Sequence, residues 1–158
     1  MEYFMTSDTH FGHANIIKYC NRPFKSVKEM DNILIKNWNS VVSDEDIVFH
    51  LGDFSFERKD SYKYRLNGDI ILIKGNHDTD SIIDRATIYY KGAEYILIHN
   101  PTEAREGNIL CGHVHEKWKC KVLKTKTCLN VGVDVWDYFP INLKQIHEEV
   151  KKWNQKRK

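Results

Sequence analysis

Five short apolar runs, each soon followed by glycine, aspartate, asparagine or histidine, constrain this chain more than any other feature. They are Tyr3-Phe4-Met5, Ile47-Val48-Phe49, Ile70-Ile71-Leu72-Ile73, Tyr95-Ile96-Leu97-Ile98 and Ile109-Leu110-Cys111. β-branched and aromatic residues dominate them, and they are too short for helices, so they read as buried strands. Helical patterns lie between and after them. Ser26 and Glu29 form a Ser-x-x-Glu capping box, after which Val27, Met30, Leu34, Trp38 and Val41 recur every three or four residues. A last helix starts near Asn142 and turns Leu143, Ile146, Val150 and Trp153 to one face. Strands alternating with helices predict an α/β domain. Between Glu116 and Val135, lysines alternate with Cys120, Val122, Leu123 and Cys128, the pattern of an antiparallel pair with one wet face. A mixed sheet is therefore expected rather than a purely parallel one.

The 158 residues suffice for one domain spanning 1–158, with a core that needs no disulfides. Cys20, Cys111, Cys120 and Cys128 are scattered with no Cys-x-x-Cys pair, which argues against a finger-type zinc site and for free thiols. No apolar stretch approaches the roughly 18 residues that span a bilayer. No secretory signal follows Met1-Glu2-Tyr3, so the expected location is cytoplasmic. With 24 basic and 22 acidic residues, the formal charge of +2 does not by itself point to nucleic acid or a membrane surface.

The residues after the runs carry the chemistry. They are Asp8-Thr9-His10, Gly52-Asp53, Gly75-Asn76-His77-Asp78, His99 and Gly112-His113-Val114-His115. In α/β sheets, ligands bind beyond the carboxyl ends of the strands, where five such loops would converge. Imidazole, carboxylate and carboxamide without thiolate form a nitrogen/oxygen ligand set that suits Mn, Fe, Ni or Zn. Asp8/His10 and His113/His115 are spaced i, i+2, which on an extended segment puts both side chains on one side. Gly52, Gly75 and Gly112 would let the backbone turn tightly beside them. Singly, each element could be an ordinary turn. Their joint order has no such explanation.

The set Asp-x-His, Gly-Asp, Gly-Asn-His-Asp/Glu, His, Gly-His-x-His resembles the calcineurin-like metallophosphoesterases, and every element is present, in order, over about residues 4 to 115. The stretch Asn130-Val131-Gly132-Val133-Asp134 also resembles a segment of small bacterial and phage members. The resemblance implies a mixed-sheet β-sandwich flanked by helices in four layers. It implies two divalent metal ions, manganese first, with Ni, Fe or Zn as alternatives. Residues matching Asp8, His10, Asp53 and His115 would hold one ion, and those matching Asp53, Asn76, His99 and His113 the other, with Asp53 bridging. In that family the paired ions generate a hydroxide that attacks a phosphate ester. His77 would serve the leaving oxygen as general acid or imidazolium, and Asp78 would orient its ring.

His13, Asn76 and Arg105 are candidate substrate contacts, with Asn100 beside the fourth run; His13 could instead cap the following helix. His50 reads as a buried, hydrogen-bonded histidine and His147 as an exposed one. The lysine-rich ribbon and the tail Lys151, Lys152, Lys156, Arg157 and Lys158 read as solvated faces. A phosphodiesterase is the leading expectation, because no long insertion is present to close a lid over the site. A phosphomonoesterase is the near alternative. A nuclease ranks behind it, since no run interleaves aromatic and basic residues. A non-catalytic metal-binding scaffold should have lost ligands, and none is missing. Small members of the family often associate, so a homo-oligomer is possible.

Overall fold

The computed structural model describes residues 1–157. In chain order the elements are β1 (Tyr3–Thr6), α1 (Ile16–Tyr19), α2 (Val27–Val41), β2 (Ile47–His50), α3 (Lys59–Lys63), β3 (Asp69–Leu72), β4 (Arg85–Tyr90), β5 (Ala93–Ile98), β6 (Gly107–Cys111), β7 (Cys120–Val122), β8 (Lys126–Asn130), β9 (Ile141–Asn142) and α4 (Leu143–Asn154). They build two mixed sheets, one ordered β3-β2-β1-β9 and the other β4-β5-β6-β8-β7.

The first sheet runs β1, β2 and β3 parallel, with Phe4 beside Val48 and Val48 beside Ile70. In the second, β5, β6 and β8 are parallel. Antiparallel β4 and β7 edge it, and β7 and β8 form the expected lysine-rich ribbon. All five apolar runs became strands of this sandwich. The alternating stretch Arg85–Tyr90 supplies β4, which was not expected.

Met5, Leu51, Ile73, Tyr95, Leu97, Leu110 and Leu129 fill the space between the sheets and beneath α4. A second cluster, around Phe4, Met30, Leu34, Trp38, Val48 and Phe54, joins the outer face of the first sheet to α2. Helix α2 begins as its sequence predicts: Ser26 Oγ accepts from Glu29 N at 3.1 Å, while the Glu29 carboxylate accepts from Lys25 N. Its apolar stripe ends differently. Val41 is 40% exposed and Val42, just past the helix, is buried instead, because the chain turns there into the loop toward β2. Asn142 caps α4 through Lys144 N. On that helix His147 is not a free surface residue, for its Nδ1 lies 2.6 Å from the Tyr95 hydroxyl. Among the described residues, no helix is long and apolar enough to cross a membrane.

Candidate metal centre

The carboxyl ends of β1, β2, β3, β5 and β6 point toward one edge of the sandwich, and the loops leaving them meet there. Each carboxylate commits one oxygen to the backbone and presents the other. Asp8 Oδ2 accepts from His113 N at 3.0 Å, across 105 residues of sequence. Its Oδ1 faces His10 Nε2 at 3.9 Å and His115 Nε2 at 3.8 Å. Asp53 Oδ1 accepts from His77 N at 2.9 Å. Its Oδ2 lies 3.6 Å from His10 Nε2 and 3.4 Å from His99 Nε2. Asn76 Nδ2 stands 3.2 Å from His113 Nδ1.

The imidazoles are oriented from behind. His99 Nδ1 lies 2.7 Å from the Leu51 carbonyl, to which it donates, leaving Nε2 bare toward the cluster. His10 Nδ1 meets His13 Nδ1 at 3.3 Å. Asp8 Oδ1, His10 Nε2 and His99 Nε2 are buried with no hydrogen-bond partner among the described residues. Buried polar atoms without partners are costly, and several facing one space call for a cation. Two ligands at about 2.1 Å from one ion stand roughly 3 to 4 Å apart, the spacing seen here. Donor atoms of Asp8, His10 and His115 form one group within 4.8 Å, and those of Asp8, Asp53 and His99 another. The residues therefore fit divalent metal. Burial pushes His10 down to about 3 despite the nearby Asp53 carboxylate, so it is the neutral, ligating form near neutral pH. Burial opposes ionisation of Asp53 too, but His99, the His77 amide and His10 more than offset it and hold its carboxyl below the usual range.

The local backbone is not the extended one expected from the i, i+2 spacing. Asp8, His10, Asp53, His113 and His115 all have positive φ, between 48° and 70°. Each such residue costs on the order of 1–2 kcal/mol, and the surrounding packing holds it there. Both pairs therefore meet the cluster through successive left-handed kinks, not through strand alternation. The glycines also act differently. Of Gly52, Gly75 and Gly112, only Gly52 has a positive φ, at 101°. Gly75 and Gly112 provide clearance: a Cβ on Gly112 would collide with the Ser7 side chain and the Asp8 carboxylate, and one on Gly75 with Asp53.

Two expectations, for Asp78 and Arg105, need correction, and so does the alternative reading of His13. Asp78 does not touch the His77 ring. It is buried, and its carboxylate accepts from Asp53 N at 2.7 Å, Gly75 N at 2.8 Å and Phe54 N at 3.4 Å, with Lys59 Nζ at 3.3 Å. It ties the Asp53 and Asn76 loops together, because those turns leave amides that only a buried carboxylate can satisfy. Arg105 lies where the chain enters β6, its carbonyl accepting from Thr125 Oγ1, at the opposite end of that strand from Gly112. His13 does not cap the next helix, whose N-cap is Asn15; its ring stacks on Phe56 at 4.6 Å. His77 is exposed at the rim, its ring 5.8 Å from that of His10. Asn76 and Asn100 border a cavity of about 500 Å³ beside His99. His50 is fully buried, with Nε2 2.9 Å from Thr9 Oγ1.

Other supporting residues lie outside the five loop motifs: Arg22 carried no signal in the sequence, whereas Asn130 and Asp134 fall in the stretch that the resemblance had already singled out. Arg22, with its side chain fully buried, donates to the Asp8 carbonyl at 2.6 Å and the Thr9 carbonyl at 3.0 Å. It also pairs with both oxygens of Asp134, at 2.9 and 3.0 Å. Asp134 Oδ2 in turn sits 3.6 Å from His115 Nδ1. Against the cost of burial, Asp134, Cys20 and Asp8 push His115 up to about 10 in the metal-free protein. Asn130 donates to the carbonyls of His115 and Trp118 and accepts from Gly132 N, bracing the last loop.

The chain resembles the uncharacterized protein MJ1445 of Methanocaldococcus jannaschii at 43% identity, covering 94% of this chain and 91% of that one. It is 35% identical to the Gene 66 protein of Mycobacterium phage L5, over 63% of this chain and 51% of the phage protein. A solved structure, the protein of unknown function AQ665 from Aquifex aeolicus, superposes with a TM-score of 0.73 at 27% identity, covering 93% of this chain and 98% of that one. Residues 1–139 match the family described as the calcineurin-like phosphoesterase superfamily domain. With the ordered motifs converging on one metal-fitting cluster, the chain belongs to the calcineurin-like phosphoesterases.

Proposed function

We propose that this protein is a divalent-metal-dependent phosphodiesterase with a two-ion centre. The observation that carries the reading is Asp53 Oδ2, a single oxygen flanked by His10 Nε2 at 3.6 Å and His99 Nε2 at 3.4 Å. A carboxylate oxygen between two separately anchored imidazoles is suited to bridge a pair of cations. Asp8, His10 and His115 would hold one ion with Asp53, and His99, His113 and Asn76 the other. Bound divalent cations supply Lewis-acid activation of water and neutralise charge that develops on the phosphoryl oxygens.

The chain's own groups do the rest. Asp8 and Asp53 keep one oxygen each on backbone amides, so the ligand oxygens are aimed before any ion arrives. His77 stands at the exposed rim, where its imidazole can protonate the leaving oxygen. Its ring is free to do so because Asp78 engages the loop beneath it instead. Exposure of Asn76 and His77 leaves room for a substituent on both sides of the phosphate, which favours diesters over monoesters. The nitrogen and oxygen set without thiolate suits Mn, Fe, Ni or Zn, and the family resemblance puts manganese first among them. Four free cysteines, three of them buried, accord with a reducing, cytoplasmic setting.

The test is turnover by purified protein loaded with Mn, Ni, Zn or Mg on mono-, di- and cyclic phosphate esters, with metal content measured in parallel. The expected result is two ions per chain and hydrolysis of diesters ahead of monoesters. Asp53→Ala should lose both metal and activity, and His77→Ala activity alone. Metal-loaded protein that turns over no ester would refute the reading and leave a binding scaffold.

A further inference from the structure

Two aromatic side chains from separate segments meet beside the metal-fitting cluster. The His13 ring stacks on Phe56 with centroids 4.6 Å apart and planes 19° from parallel. Phe56 is 66% exposed, and Tyr19, 71% exposed, approaches His13 edge-on at 6.3 Å. Loop flexibility does not account for this exposure. Phe56 N donates to the Phe11 carbonyl at 2.8 Å, and Phe11 and Ser55 form a parallel bridge, so the backbone beneath the ring is pinned. Phe56 and Tyr19 flank the His13 ring, so the exposed apolar surface here is a group of neighbouring aromatic rings and not one isolated side chain. Its position is specific too: His13 contacts the ligand candidate His10, with ring centroids 5.4 Å apart. Phe56 shares the wall of a cavity of about 340 Å³ with Arg58, Lys59 and His77. A phosphate at the cluster would project its ester substituent past His77 onto this ledge.

We infer that the ester substituent is a nucleobase-bearing one, so that the substrate is a nucleotide phosphodiester whose base lies flat on Phe56. The inference rests on the phosphodiesterase reading above. A planar ring is what an exposed, stacked aromatic pair recognises, and every base offers such a face. Charge limits the length. The cavity wall carries Glu57 and Asp80 as well as Arg58 and Lys59, so this wall is balanced in charge and is not a cationic track for a run of phosphates. One or two nucleotides fit that balance better than a long strand.

The test uses metal-loaded His77→Ala protein, in which bound ligand is not consumed, and calorimetric affinities for adenosine 5′-monophosphate and ribose 5-phosphate. Base stacking predicts that the nucleotide binds about 5- to 150-fold more tightly. Adding Phe56→Ala should bring the two affinities within about twofold of each other, and Phe56→Trp should restore the preference. Equal affinities for the two ligands before Phe56 is changed would overturn the inference, as would a preference that survives Phe56→Ala. In a second arm, affinity should level off between a dinucleotide and a decanucleotide; a continued rise with length and a steep salt dependence would overturn the short-ligand assignment. Turnover of a glycerol phosphodiester by the unmutated enzyme, which needs no base, separates the two readings. Turnover without base preference removes the ledge alone, and no turnover of any diester removes both.

Discussion

Replacing Arg22 by methionine should be among the most damaging changes outside the ligand set. The guanidinium is fully buried and engages both oxygens of Asp134. Breaking a buried pair by removing one partner costs about 3–5 kcal/mol, because the other charge stays buried. His115 Nδ1, 3.6 Å from Asp134, relieves part of that cost. The carbonyls of Asp8 and Thr9 lose their donors as well, on the order of 1 kcal/mol each. A total of about 4–6 kcal/mol is expected, a large share of the roughly 5–15 kcal/mol that holds a domain folded. Urea denaturation with chelator present measures it without contribution from metal binding. Asp8 and His10 share the segment that Arg22 braces, so metal affinity should also fall, by about 10- to 100-fold. Arg22→Met/Asp134→Leu should recover about 2 kcal/mol relative to the single change, since no charge is then stranded. A loss below about 1 kcal/mol for Arg22→Met, or a double variant no more stable than the single one, would refute the clamp.

Gly112→Ala should cost about 1–3 kcal/mol and most of the metal affinity, because its Cβ falls on the Ser7 side chain and the Asp8 carboxylate; metal titration followed by calorimetry checks it. Asp78→Ala should destabilise the fold by about 3 kcal/mol or more in urea denaturation, with the amides of Asp53 and Gly75 and the Lys59 ammonium stranded. His50 gives a pH dependence of known sign. Burial pushes its imidazole down to about 3, although nearby Asp78 and Asp53 oppose the shift. The unfolded chain binds that proton near 6.5, so the stabilisation is whole above pH 6.5 and falls by about 1.4 kcal/mol per unit as pH drops toward 3. His50→Gln should remove that much slope from the urea stability of the metal-free protein between pH 6 and 4, and an unchanged slope counts against the assignment. Arg105→Ala should leave diester turnover within about twofold of the parent in steady-state assays, given its place at the far end of β6.

The residues that meet at this edge of the sandwich were legible because each lies within a few positions of the carboxyl end of a strand that hydrophobic patterning reveals. Asp8, Asp53, Asn76, His99 and His113 needed only the strands and the rule that loops at that end converge. Helices α2 and α4 were equally plain, since capping and apolar periodicity are local. Their limits were not: Val42 rather than Val41 closes the apolar stripe of α2, because the chain direction after the helix decides which side chain meets the core.

What side chains do for one another was decided by tertiary structure alone. Arg22 and Asp134 are 112 residues apart, and nothing near either predicts their pairing. Asp78 follows His77 in sequence, and the family resemblance implied that it orients the His77 ring. It turned away because the Gly52–Asp53 and Gly75 turns leave buried amides, and satisfying those outweighs steadying one exposed ring. Phe56 and His13 likewise meet only because the loops after β1 and β2 run side by side. Patterning and propensity act over a few residues, so they report which groups reach the edge of the sandwich. Burial and hydrogen-bond satisfaction act across the whole fold, and they determine which partner each group finds there.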